Sequence, residues 1–99
     1  MELSDNYSKA EYILLLNETI EMFRLQCNNE EDFLSQNILE QLLDIKENVI
    51  ELGVLTEWDD INERYTLGGL AIKNFKKNDE LGQRIQNIFL GALNYHNLS

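Results

Sequence analysis

With 99 residues, 43% of them hydrophobic and 26% charged, the chain can build one hydrophobic core but not two, and its composition is that of a folded domain rather than a disordered tail. Eighteen acidic residues against eight basic ones give a net charge of −10, which argues against direct nucleic-acid binding, because phosphate contacts need clustered Lys and Arg. The imbalance belongs to the N-terminal half: residues 1–52 hold 12 acids and 3 bases, and residues 53–99 hold 6 acids and 5 bases.

The lone cysteine, Cys27, has no partner for an internal disulfide and reads as a small core residue. The opening MELSDNY has no basic stretch, and no window reaches the run of about 18 apolar residues that a membrane span requires. A cytoplasmic protein without membrane contact is expected. Proline is absent, so Gly and Asn are left to punctuate the helices.

Along the chain, Tyr7-Ser8-Lys9-Ala10-Glu11-Tyr12 opens the first helix. Ser8 and Glu11 have capping-box spacing, and the two tyrosines occupy hydrophobic-staple positions. Tyr12, Leu16, Ile20, Phe23 and Cys27 then form a core stripe that stops at Asn28-Asn29, which predicts a helix over 8–27. Leu15, Met22 and Leu25 lie off that stripe, so part of a second face is apolar, either packed beneath the rest of the chain or used in a dimer or partner contact.

Asn29 suits the cap of a second helix, and Glu30, Glu31 and Asp32 in its first turn suit the positive end of the helix dipole. The same carboxylates are available to a partner. Ile38, Leu42, Ile45, Val49 and Leu52 repeat at steps of four and three, with Leu39, Leu43 and Ile50 widening the arc. That pattern predicts a central helix over 30–52, ended by Gly53. Opposite it, Glu40, Asp44, Glu47 and Glu51 form one acidic ridge, with only Lys46 nearby and displaced to a flank. Like charges at this spacing repel by a few tenths of a kcal/mol, roughly, per pair. A basic partner would offset that repulsion.

Residues 53–77 admit several structures. Thr56-x-x-Asp59 can cap a short helix presenting Trp58, Ile61 and Tyr65, ended by Gly68-Gly69 and followed by another turn or two. Alternatively Gly68-Gly69 can turn a hairpin between 64–67 and 70–75, or 54–58 can pair with 63–67. From Asp79 the helical pattern returns, with Leu81, Ile85, Ile88, Ala92 and Tyr95 on one stripe, and Gly82 or Gly91 marks a close helix crossing. The expected fold is mainly α: a single domain, 1–99, forming a small antiparallel helical bundle of three long helices (8–27, 30–52 and 79–96) plus a short helical or hairpin element at 56–76.

Catalytic chemistry finds little footing. His96 is the sole histidine, three residues from the end of the sequence, with no carboxylate three or four residues before it. Asp59, Asp60, Asn62 and Glu63 fall short of a calcium loop, since Arg64 stands at a ligand position and the loop glycine is missing. No phosphate-binding glycine motif occurs, so no cofactor and no metal are expected, and the chain reads as a non-enzyme.

The Tyr7–Tyr12 opening, the helix running to Cys27 and the acidic Glu30-Glu31-Asp32 resemble the immunity proteins that neutralise colicin and pyocin nucleases. That resemblance implies an acidic helical bundle that binds a basic nuclease domain through acids of its second helix. The chain lacks that family's Tyr-Tyr-Pro motif and is longer, which directs the resemblance to the broader class of bacterial toxin-immunity proteins, including those of contact-dependent inhibition. Residues 47–75 are also similar to the end of a winged-helix regulator, although the helix that should read DNA carries the acidic ridge instead. A helical dimerisation module is the third possibility. The expected partner footprint is Glu30, Glu31, Asp32, Glu40, Asp44, Glu47 and Glu51, with Trp58, Asp59, Asp60 and Tyr65 from the next segment, Trp58 being either an interface anchor or a core residue. Homodimerisation stays open beside it.

Overall fold

The structure, a computed structural model, describes residues 8–26 and 33–98. Cys27, Asn29 and the acids Glu30, Glu31 and Asp32 lie outside the described residues. The remainder is mainly helical: α1 (Lys9–Gln26), α2 (Phe33–Ile45) continued by a π-helical turn (Lys46–Glu51), α3 (Trp58–Arg64), α4 (Leu67–Asn74), α5 (Glu80–Leu93) and a 3-10 turn (Tyr95–Asn97). No described helix is long and apolar enough to cross a membrane.

The start of α1 follows its sequence signal. The Ser8 amide donates to Glu11 Oε1 at 3.0 Å and the Glu11 amide donates to Ser8 Oγ at 3.1 Å, the reciprocal pair of a capping box. Tyr12, Leu16, Ile20 and Phe23 are buried, as their spacing requires, whereas Leu25 is exposed.

Ile38, Leu42, Ile45 and Val49 are buried too, but Leu52 is 62% exposed and does not complete the stripe. The α-helical ladder gives way before it. The Asn48 side chain donates to the Asp44 carbonyl at 3.2 Å, taking the acceptor that an α-helical amide of Asn48 would use, and the Leu52 amide reaches back five residues to the Glu47 carbonyl at 2.8 Å. Gly53, at φ 63, then turns the chain in the left-handed region that glycine adopts without a Cβ clash.

Between 53 and 77 the helical alternative holds, and no strand occurs among the described residues, so neither hairpin nor a wing forms. The boundaries differ from expectation. Glu57, not Thr56, precedes α3, with no side-chain cap, and Gly68-Gly69 lie inside α4 rather than ending α3. A Cβ on Gly68 would meet the Phe89 ring at 3.0 Å, so the glycine lets α4 settle on α5.

Asp79 caps α5, accepting from the Leu81 amide at 2.8 Å and the Gly82 amide at 3.3 Å. The α-helix stops at Leu93 instead of running to 96, and the 3-10 turn folds Leu98 back into the core. This helix, not the Ile38–Leu52 stretch, is the hub: α5 packs on α1, α3 and α4, whereas α2 packs chiefly on α1. Both glycines of α5 sit at close crossings. The Tyr12 ring covers Gly91, its Cδ1 being 2.7 Å from where a Cβ would stand, and the Tyr12 hydroxyl donates to the Ile88 carbonyl at 2.6 Å. Burial pushes that phenol well above its ordinary pKa, so it serves as a fixed donor.

Candidate functional site

The acidic ridge expected along 40–51 is divided by the structure into one engaged carboxylate and three exposed ones. Asp44 is engaged. Arg64, the last residue of α3, grips it with two parallel hydrogen bonds, Nε to Oδ2 at 2.6 Å and Nη2 to Oδ1 at 2.9 Å. The Tyr65 hydroxyl donates to Oδ2 at 2.5 Å and Asn48 Nδ2 donates to Oδ1 at 3.1 Å. Hydrogen bonding from Arg64 is the main reason that this carboxyl sits below the usual range, with Tyr65 and Asn48 acting in the same direction against partial desolvation. Burial, followed by the bond to Asp44, raises the Tyr65 phenol, and the bond to Asp44 raises the Arg64 guanidinium.

One turn earlier on α2, Gln41 makes a second clamp. Its Oε1 accepts from the Thr66 amide at 2.8 Å and its Nε2 donates to the Thr66 hydroxyl at 2.9 Å. Asp44 and Gln41 together tie α2 to the junction between α3 and α4. Glu40 lies at the edge of the resulting polar groove, of about 270 Å³, beside Asn37, Gln41, Asp44, Arg64 and Tyr65.

Two consequences follow for the expected footprint. Tyr65 is 3% exposed, its ring in the core and only its hydroxyl at the groove, so it does not offer a surface anchor. Asp44 is part of the scaffold as much as of the surface. Glu40, Glu47 and Glu51 are exposed, but Glu47 and Glu51 stand on the π-helical turn, where each residue advances by less than the α-helix's roughly 100°. The ridge is therefore bent, not straight.

A different surface takes shape past the bend. The amides of Val54 and Leu55 both donate to the Asn48 carbonyl, at 2.9 and 3.1 Å, folding the chain back against the end of the π-helical turn. Leu52, Val54 and Trp58 are then left 62%, 65% and 51% exposed, three large apolar groups among the exposed acids Glu51, Glu57, Asp59 and Asp60. Trp58 stays outside because it is the first residue of α3, which turns Ile61 inward instead.

Sequence reasoning missed the roles of Arg64, Gln41 and Asn48. Arg64 entered only as an obstacle to calcium binding, and no local pattern links it to Asp44, twenty residues away. Asn48 had a local signal: a short amide inside a helix competes for backbone acceptors. His96 is exposed, its ring edge-on to Tyr95 at 6.0 Å between centroids. Among the described residues no group of three or more His, Cys, Asp or Glu is placed to hold a metal ion. Comparison of the chain with protein-family models, curated proteins and solved structures gives no match.

Asp44→Ala is expected to lower stability by about 1–2 kcal/mol at neutral pH, because it strands the Tyr65 hydroxyl as well as Arg64. Arg64→Ala should cost less than about 1 kcal/mol, since its side chain is 48% exposed and regains water. In a denaturation series against pH, the depressed Asp44 carboxyl contributes fully above its unfolded value of about 3.9 and loses that contribution as pH falls through its folded value. The raised Tyr65 phenol contributes below about pH 10 and loses that contribution as pH rises through its folded value. An Asp44→Ala profile parallel to wild type at both ends would mean that this network does not set the pH dependence of stability.

Proposed function

We propose that the chain is an acidic, non-catalytic inhibitor that acts in the cytoplasm by masking a basic protein, a toxin domain of the nuclease kind, in a stoichiometric complex. The observation that carries this reading is the half-exposed Trp58, flanked by exposed Leu52 and Val54 and surrounded by carboxylates. A tryptophan left in water is the residue type that most often anchors an interface, and a surrounding ring of one charge speeds the encounter with a partner of the other. Glu40, Glu47 and Glu51 extend the same negative field along α2 and its π-helical turn. The outlying Glu30, Glu31 and Asp32 are assigned to it on sequence alone. The resemblance of the Tyr7–Tyr12 opening to nuclease immunity proteins supplies the class of partner.

The reading requires a toxin domain encoded by a neighbouring gene, and the test is to titrate that domain with this protein. Nuclease activity should fall to zero at one equivalent, and the association rate should drop about tenfold or more as salt is raised from about 0.05 M to about 0.5 M. A neighbouring domain that is neither bound nor inhibited, or a rate indifferent to salt, would overturn the reading.

A further inference from the structure

In a chain of net charge −10, three lysines gather where α4 passes into α5: Lys73, Lys76 and Lys77. Among the described residues the ion pairs are made by Arg24, Arg64 and Arg84, and none by these lysines. Lys76 and Lys77 border a groove of about 380 Å³ whose apolar wall is Ala71, Ile72, Phe75 and Gly82. Gly82 lets Phe75 lie close against α5, since a Cβ there would stand 2.6 Å from Phe75 Cβ. Ile72 is 74% exposed at its mouth.

Such a groove suits a large apolar side chain with carboxylates beside it. Residues 51–60, ELGVLTEWDD, provide that chemistry: four acids, no base, and the exposed Leu52, Val54 and Trp58. We propose that the lysine-bordered groove of one copy takes the Leu52–Asp60 segment of a second copy, in a head-to-tail contact. A copy cannot fill its own groove this way. Its segment is tied down by the Val54 and Leu55 amides on the Asn48 carbonyl and by Ile61, buried against the core. Each bound pair keeps one groove and one segment free, so the contact propagates into short chains or closes into a ring. The net negative charge opposes approach at long range but is screened beyond about 8 Å at physiological ionic strength, leaving local complementarity to decide at contact. Self-association and the proposed toxin contact would compete for Trp58, but the former does not depend on the latter.

Sedimentation equilibrium at about 0.15 M salt tests this without any partner. The wild-type weight-average mass should rise above 11.6 kDa with concentration. Ile72→Asp disables the groove and Trp58→Asp disables the segment. Both residues are largely exposed, and circular dichroism should show both variants folded. Each variant alone should associate at least about tenfold more weakly than wild type. An equimolar mixture should regain association and stop at a dimer, because it pairs one intact segment with one intact groove. A wild type that stays monomeric, a single variant that associates as wild type does, or a mixture that stays monomeric would overturn the proposal. None of these outcomes bears on toxin inhibition, which is read separately by nuclease titration.

Discussion

Alanine at Gly91 should destabilise the protein, and alanine at Gly69 should stabilise it, although both glycines lie in α-helices. A Cβ at position 91 runs into the Tyr12 ring, which cannot withdraw easily because it is fully buried and its hydroxyl is held by the Ile88 carbonyl. Overpacking of this kind costs about 1–3 kcal/mol, and in the immobile setting of Tyr12 it outweighs the gain of about 1 kcal/mol that alanine brings to a helix. At Gly69 nothing lies within 4 Å of the added carbon, so only the helix-propensity gain remains, about 0.5–1 kcal/mol. For a domain of this size each kcal/mol shifts the melting temperature by about 4–8 °C, so calorimetry should place the two variants on opposite sides of wild type. Equal or raised stability of Gly91→Ala would mean that the Tyr12 ring can yield and that the α1–α5 crossing is not tightly packed.

Reversing Glu40, Glu47 and Glu51 to lysine while keeping Asp44 should weaken binding of the proposed basic partner about 100-fold, and adding Trp58→Ala should weaken it about 30-fold more. Asp44 is spared for a structural reason: a lysine there would face Arg64 and strand the Tyr65 hydroxyl, so lost binding would be confounded with lost stability. The other three carboxylates are exposed, and their reversal should change unfolding by less than about 1 kcal/mol. Affinity measured on the triple and quadruple variants, alongside thermal melts, separates steering from anchoring. Unchanged affinity in the quadruple variant with an intact fold would place the footprint on another face.

What could be read from the sequence follows the range of the forces involved. Capping at Ser8 and the buried spacing of Tyr12, Leu16, Ile20 and Phe23 are local matters, and both appear as expected. So does the helical alternative for 53–77. The errors lie where distant residues decide. The Ile38–Leu52 stretch looked central because it is apolar over a wide arc, yet the hub is α5, whose Gly91 admits the ring of Tyr12 from far along the chain. Asp44 looked like a free ridge residue because nothing within a turn of it announces Arg64 and Tyr65. Leu52 left the stripe because the Asn48 side chain takes a backbone acceptor that periodicity assigns to the helix. Trp58 could not be assigned to inside or outside until the start of α3 was placed.

The bond from the Tyr12 hydroxyl to the Ile88 carbonyl joins residues 76 apart in the chain. On a ribosome adding about 5–20 residues per second, α1 therefore waits several seconds for the helix that covers it. During that interval α2 is the main neighbour that the stripe of Tyr12, Leu16, Ile20 and Phe23 has to lie against. The nascent N-terminal helices emerge as a half-finished layer, and the domain cannot close before α5 arrives, because the Tyr12 ring rests on Gly91 and its hydroxyl bonds to Ile88. Vectorial synthesis thus makes the last long helix the step that commits the fold, and a polypeptide stalled before residue 80 would expose the apolar surface that the finished protein hides.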